Sequence, residues 1–193
     1  MGSAQGEENM CNNTTGTFTD PRDGKVYKTV KIGNQVWMAE NLAYDVAGSI
    51  CYDEKYGRLY KWKTAIDAKT CPIGWHLPSF KEWMILIDSV DGEEIAGERL
   101  KTTSGWDDYK DIYDHKYKSG NGTDNFGFSA LPSSYANAND EFIKKYLGED
   151  CRWWCIESAK TPFGLINWGK HIRFRDWPPA EQDFSCSIRC VQD

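Results

Sequence analysis

Seven cysteines are the residues of this chain best equipped for chemistry: Cys11, Cys51, Cys71, Cys151, Cys155, Cys186 and Cys190. None belongs to a CxxC pair, the tight turn that four-cysteine zinc sites normally use. Their spacing therefore favours disulfides, and with them an oxidising compartment. Cys151/Cys155 and Cys186/Cys190 form two CxxxC pairs on stretches that read as strands. Residues i and i+4 of a strand lie about 13 Å apart, beyond the reach of a disulfide, so bridges are expected between the two strands. Four cysteines allow three connectivities, of which an antiparallel alignment would join Cys155 to Cys186 and Cys151 to Cys190. A reactive-thiol site is the rival reading, since a low-pKa thiol needs a nearby cation and Arg152 or Arg189 could supply it. Cys11 is left as the odd thiol.

The other reactive side chains give less. His76, His115 and His171 are the only histidines, and no HExxH, GxSxG, GxxxxGK[ST] or GxGxxG pattern occurs. The adjacent acids Asp53/Glu54, Glu93/Glu94 and Asp107/Asp108 read as solvated loops, and spacing does not set two of them across a glycosidic bond. No catalytic residue is assigned, and an enzyme, thiol- or carboxylate-dependent, is the minor reading. Asn121, Asp124 and Asn125 offer hard oxygen ligands in a glycine-containing loop, chemically suited to Ca²⁺. Calcium is the only cofactor this suggests.

Composition bounds what these residues can serve. With 193 residues, 40% hydrophobic and 14% aromatic, the chain can bury the core of one domain. Nine Trp and ten Tyr exceed what such a core needs, so some rings are expected at the surface, where amphipathic faces serve binding. The formal charge is −6; residues 1–150 hold 17 basic and 24 acidic side chains and residues 151–193 hold 6 and 5. No basic stripe with interleaved aromatics is present, which excludes a nucleic-acid footprint. No apolar run approaches the ~20 residues of a membrane helix, and Met1 to Asn9 has no signal-peptide core. Met1-Gly2-Ser3 has the look of an expression start, so a removed export signal is expected.

The elements that must position these groups follow from periodicity. Residues 1–19 are small and polar and read as a flexible leader; a single domain is expected over 20–193. Lys25 to Ile32 alternates at period two, Gly33-Asn34 turns, and Gln35 to Met38 returns, a β-hairpin. Leu59, Trp62, Ala65 and Ile66 are spaced for a short first helix. Ser79 and Glu82 form a capping box for a second, with Phe80, Trp83, Met84, Ile87 and Val90 as its buried stripe. Ile95 to Lys101 reads as a third, interrupted by Gly97. Thr102 to Asn125 reads as a long loop, and short strands follow near 152–157, 164–168, 171–174 and 185–191. Hairpin, two to three helices, long loops and short antiparallel strands make an α+β fold. Consecutive residues of a strand face opposite ways, so at most one of Trp153 and Trp154 is expected to be buried.

Four blocks carry a resemblance: Tyr56-Gly57-Arg58-Leu59-Tyr60-Lys61-Trp62, Cys71-Pro72-Ile73-Gly74-Trp75-His76-Leu77-Pro78-Ser79, Gly127-Phe128-Ser129-Ala130-Leu131-Pro132-Ser133 and Ser187-Ile188-Arg189-Cys190-Val191. In this order they resemble the Fibrobacter succinogenes major paralogous domain, a family of bacterial cell-surface and secreted modules regarded as similar to the C-type-lectin fold. The resemblance implies a secreted or cell-surface location and a Cys51–Cys71 bridge. It also implies a ligand-facing C-terminal segment, here Trp154, Asn167, Trp168, His171, Arg173, Arg175 and Trp177, whose rings would stack on a carbohydrate or protein ligand while Asn and Arg read its polar groups. The alternative is a structural or assembly module of a surface protein. The Glu-Pro-Asn, Gln-Pro-Asp and Trp-Asn-Asp motifs of calcium-dependent sugar-binding lectins do not occur.

Overall fold

In chain order the strands are β1 (Thr15–Thr19), β2 (Val26–Ile32), β3 (Gln35–Met38), β4 (Ser49–Ile50), β5 (Leu59–Lys61), β6 (Trp75–His76), β7 (Tyr109–Lys110), β8 (Tyr117–Lys118), β9 (Asp150–Trp153), β10 (Phe163–Ile166), β11 (Arg173–Phe174), β12 (Ser185–Ser187) and β13 (Val191–Gln192). The helices are α1 (Trp62–Ala65), α2 (Phe80–Ser89) and α3 (Glu93–Leu100), so the fold is α+β. This computed structural model describes residues 14–67, 69–137, 139, 141–156, 163–166, 173–174 and 184–193, with only the backbone of 163, 166, 173 and 174.

The hairpin forms as its alternation predicts: β2 and β3 pair from Thr29↔Met38 to Ile32↔Gln35, with Gly33 at φ 57 in the turn. Paired structure is present before the expected start at Asp20. Thr15–Thr19 pairs along β2 from Thr15↔Val30 to Thr19↔Val26, because the exposed edge of β2 offers unpaired backbone groups that this polar segment satisfies. The capping box of α2 is complete, Ser79 accepting from the Glu82 N–H while the Glu82 carboxylate takes the Ser79 N–H. Trp83, Leu86, Ile87 and Val90 are buried from this helix; Phe80, expected in that stripe, is exposed because it occupies the first turn at the rim. The expected helix at Leu59 is instead β5, held between β4 and β12; only the single turn of α1 remains.

Two sheets carry the molecule. One has the order β1-β2-β3-β13-β6 and the other β11-β10-β9-β12-β5-β4. The last strands of the chain are therefore interior in both: β12 lies between β9 and β5, and three residues later β13 lies between β3 and β6. Two buried clusters fill the structure. Val30, Ile32 and Trp37 meet Trp83, Leu86, Ile87, Phe128 and Trp153 in one; Tyr27, Met38, Tyr60, Trp75, Tyr135, Trp154 and Ile188 meet in the other. Trp153 and Trp154 do face opposite ways, yet both are buried, since each face of the sheet at that point is covered by its own cluster.

The sulfur framework differs from expectation. The disulfide joins Cys71 to Cys190, 119 residues apart in sequence, and Cys51 is an exposed free thiol. The expected Cys51–Cys71 bridge does not form because Cys71, shortly before β6, is taken by Cys190, which directly precedes β13, the strand paired with β6. The expected pairing of Cys151 and Cys155 with Cys190 and Cys186 fails for a reason of register: β9 and β12 do lie side by side, but parallel, through Ser187↔Trp153. Cys186 then falls in one buried cluster and Cys151 and Cys155 in the other, on opposite faces of the sheet, and Cys190 has already crossed into the other sheet. Cys151 and Cys186 are free thiols whose pKa burial drives up, the opposite of what a reactive thiolate needs. Cys11 lies outside the described residues.

Candidate functional site

Two of the chain's passages between the sheets, from β3 to β4 and from β12 to β13, touch. After β3, residues 39–42 run beside Ile188 to Cys190: the Met38 N–H donates to the Cys190 carbonyl at 3.1 Å and the Leu42 N–H to that of Ile188 at 2.8 Å. This pairing puts the Asn41 and Arg189 side chains together in the interior. Asn41 Oδ1 accepts from Arg189 Nη2 (3.1 Å) and Nε (3.3 Å) and from Trp153 Nε1 (2.8 Å), while its Nδ2 donates to the Tyr56 carbonyl (3.0 Å) and Ser187 Oγ (3.3 Å). Arg189 Nη1 donates to the Phe128 carbonyl, and the guanidinium stands 4.3 Å from the Phe128 ring centroid and 5.4 Å from that of Trp153. Gly57, at φ 75, lets the Tyr56-Gly57 backbone approach Asn41: a Cβ there would lie 2.9 Å from Asn41 Cβ and carbonyl oxygen.

Arg189 is 1% exposed, and among the described residues no carboxylate lies within ion-pairing distance of it. Burial lowers its pKa to about 10, a value that leaves it a cation at neutral pH. Above it opens a cleft of about 190 Å³, lined by buried Ala39, Asn41, Tyr56, Gly57 and Arg189 and, at the rim, by exposed Lys25, Lys28, Glu40, Glu54 and Lys55, with Thr102, Ser129 and Leu131 between. The arrangement can offer hydrogen-bond donors and positive charge to a small polar group. Nothing in the sequence marks this pair as partners, because the two residues are 148 positions apart.

A second feature stands on the outside. β7 and β8 form a separate two-stranded hairpin that the sequence reading placed within a long loop. Its turn is tightly held: Asp111 Oδ1 accepts from the Tyr113 N–H (2.8 Å), and Lys118 Nζ reaches Asp111 Oδ2 (2.7 Å) and Asp114 Oδ2 (3.1 Å). On this frame Ile112 is 75%, Tyr113 88% and Tyr117 77% exposed. The repeated Tyr-Lys at 109–110 and 117–118, bracketing Asp and His, is the signal that could have found it.

The residues singled out from sequence are distributed unevenly. Trp154 is 1% exposed, donates its indole N–H to the Tyr60 carbonyl at 2.6 Å and meets Trp62 edge-on; it belongs to the core and not, as expected, to a ligand-facing surface. Arg173 lies on β11, its backbone opposite Gly164. Asn167, Trp168, His171, Arg175 and Trp177 lie outside the described residues. Of the calcium candidates, Asp124 takes the Ser129 N–H and hydroxyl, both at 2.7 Å, and Asn121 Oδ1 takes the Trp106 N–H at 2.9 Å. Asn125 is exposed. The first two thus spend their oxygens on fastening loops to the body.

His76 is bound on both ring nitrogens, to Asp193 Oδ1 (2.6 Å) and Glu82 Oε1 (2.7 Å). Partial burial works against the charged ring, but the two carboxylates outweigh it and raise the pKa above its usual value. Ser79 Oγ meets Glu82 rather than the imidazole, so these groups clamp β6, α2 and the chain end together and do not form a nucleophile–base pair. No helix among the described residues is long and apolar enough to cross a membrane.

The four sequence blocks meet at the crossing: Tyr56, Phe128 and Ser187 are each bound by Asn41 or Arg189, Ser133 Oγ lies 3.2 Å from Ser187 Oγ, and Cys71 is tied to Cys190. The family model of the Fibrobacter succinogenes major domain matches residues 30–192, a span that contains every one of these contacts. No curated protein and no solved structure matches the chain.

Proposed function

This chain belongs to the Fibrobacter succinogenes major domain family, and from that premise we propose that it is an extracellular binding module that recognises a carbohydrate on a C-type-lectin-like scaffold. The observation that carries this reading is the exposed trio Ile112, Tyr113 and Tyr117 on a hairpin whose turn is braced by Asp111 and Lys118. Burying such side chains would be worth about 1.5–3 kcal/mol each, so a rigid hairpin that leaves three of them in water is suited to a ligand rather than to folding. Tyrosine rings present flat faces to sugar C–H groups, and the neighbouring Asp111, Asp114, Lys116 and Lys118 side chains complement hydroxyls. A stable protein partner would need about 800 Å² from each side, more than three side chains on a two-residue-strand hairpin offer. The Cys71–Cys190 disulfide supports location in an oxidising compartment.

A glycan array and polysaccharide pull-down with Tyr113→Ala and Tyr117→Ala test the hairpin; Trp168→Ala and Trp177→Ala run beside them test the C-terminal segment. Loss of signal in the tyrosine variants is expected. An unchanged signal in all four would sink the binding surface, and self-association in the ultracentrifuge that Tyr113→Ala abolishes would replace it with an assembly role.

A further inference from the structure

We propose that the cleft over Arg189 is a second binding site, separate from the aromatic hairpin, and that it takes a small oxyanion: a carboxylate, sulfate or phosphate group. The first ground is an inventory of donors. A guanidinium carries five N–H groups, and among the described residues three donor contacts account for Arg189: Nε and Nη2 on Asn41 Oδ1 and Nη1 on the Phe128 carbonyl. Two N–H groups remain on a side chain that lines a cavity. The second is charge. A buried cation is normally paired, yet Arg189 makes its hydrogen bonds and ring contacts only to neutral groups, while the carboxylates of Asp124 and Glu40 act on it from a distance without forming an ion pair.

The third ground is the rim. Lys25, Lys28 and Lys55 line it with Glu40 and Glu54, so four cations face two carboxylates in a protein whose formal charge is −6. None of the three lysines is within 4.0 Å of a carboxylate oxygen among the described residues; Glu40 instead takes the Lys28 backbone N–H at 2.7 Å. Thr102 and Ser129 add hydroxyls to the wall. The volume decides the size of the ligand. About 190 Å³ lies well below the roughly 300–1,000 Å³ of drug-sized sites, which suits a single anionic group or one acidic sugar and not a chain. Arginine at the base is the side chain that matches planar or tetrahedral oxyanions by more than one hydrogen bond.

The test is calorimetric titration of the full chain with inorganic phosphate, sulfate and acetate at constant ionic strength, the three arms separating tetrahedral from planar anions. Arg189 stays intact, since it holds the crossing together; Lys28→Glu combined with Lys55→Glu reverses the rim at exposed positions, and Glu54→Gln removes a repulsive charge. Saturable binding of at least one anion is expected, weakened tenfold or more by the double variant and tightened by Glu54→Gln, with the melting temperature of each variant near that of the parent. Absence of saturable heat from all three anions overturns the proposal, as does binding indifferent to the rim charges. Because Tyr113 and Tyr117 take no part in the cleft, loss of glycan binding in their variants with retained anion binding keeps the two sites distinct.

Discussion

Asn41 Oδ1 receives two N–H donors from Arg189, 148 residues further along the chain, and a third from Trp153. One carboxamide oxygen therefore accepts from a buried cation and a buried indole while its own N–H₂ ties down Tyr56 and Ser187. Replacing Asn41 with Ala leaves the guanidinium without its main acceptor in the interior. The expected loss is about 3–5 kcal/mol, the range for breaking a buried charged network by removing one partner, seen as a lower denaturation midpoint in urea. A loss below about 1 kcal/mol would show that water replaces Asn41 readily.

The Cys71–Cys190 bridge closes a loop of 119 residues. By chain entropy such a bridge stabilises the fold by about 5 kcal/mol. Reduction, or Cys71→Ala with Cys190→Ala, is expected to lower the denaturation midpoint markedly, whereas Cys51→Ser leaves it unchanged. Native thiol titration should label Cys51, with Cys151 and Cys186 reacting only on unfolding; rapid native labelling of either buried thiol would contradict their placement.

Trp154→Ala tests whether that residue serves the core or a ligand. Truncating a fully buried tryptophan costs about 3–5 kcal/mol, so the variant should be destabilised whether or not ligand is present. A variant of parental stability with selectively lost binding would restore the surface role.

The His76 clamp makes stability depend on pH in a defined direction. Its pKa is raised in the folded protein from 6.5, so its contribution is complete below that value and is lost as pH rises through the folded pKa. The Glu82 pKa is lowered from 4.5: burial opposes this, but hydrogen bonds from Ser79 and His76 prevail. The Glu82 contribution is present above 4.5 and lost as pH falls through the folded value. The stability difference between the parent and His76→Gln should therefore be largest between these limits and shrink towards alkaline pH. A difference that grows above pH 7 would contradict the ion-paired imidazolium.

The elements legible in the sequence are those set by local rules. The β2–β3 hairpin followed from period-two alternation and a Gly-Asn turn, α2 from its capping box, and the family from four short blocks. Phe80 was misplaced because periodicity assigns a face to a residue without saying how far the covering layer extends. The β5 strand was read as helix because Leu59, Trp62 and Ile66 satisfy a helical spacing, while the partners that make it a strand, β4 and β12, lie elsewhere in the chain. The site itself was not legible: neither Asn41 nor Arg189 carries a local mark of its partner.

Sequence by itself determined the α+β class, the family and the presence of sulfur cross-linking, because these depend on residue type and short-range period. Tertiary structure alone decided which sulfurs meet, which tryptophans are core and what lies over Arg189. The physical reason is how two strands far apart in the chain align. With Ser187 of β12 set opposite Trp153 of β9, Cys186 and Cys151 take opposite faces, and the passage from β12 to β13 carries Cys190 to Cys71 and Arg189 onto Asn41.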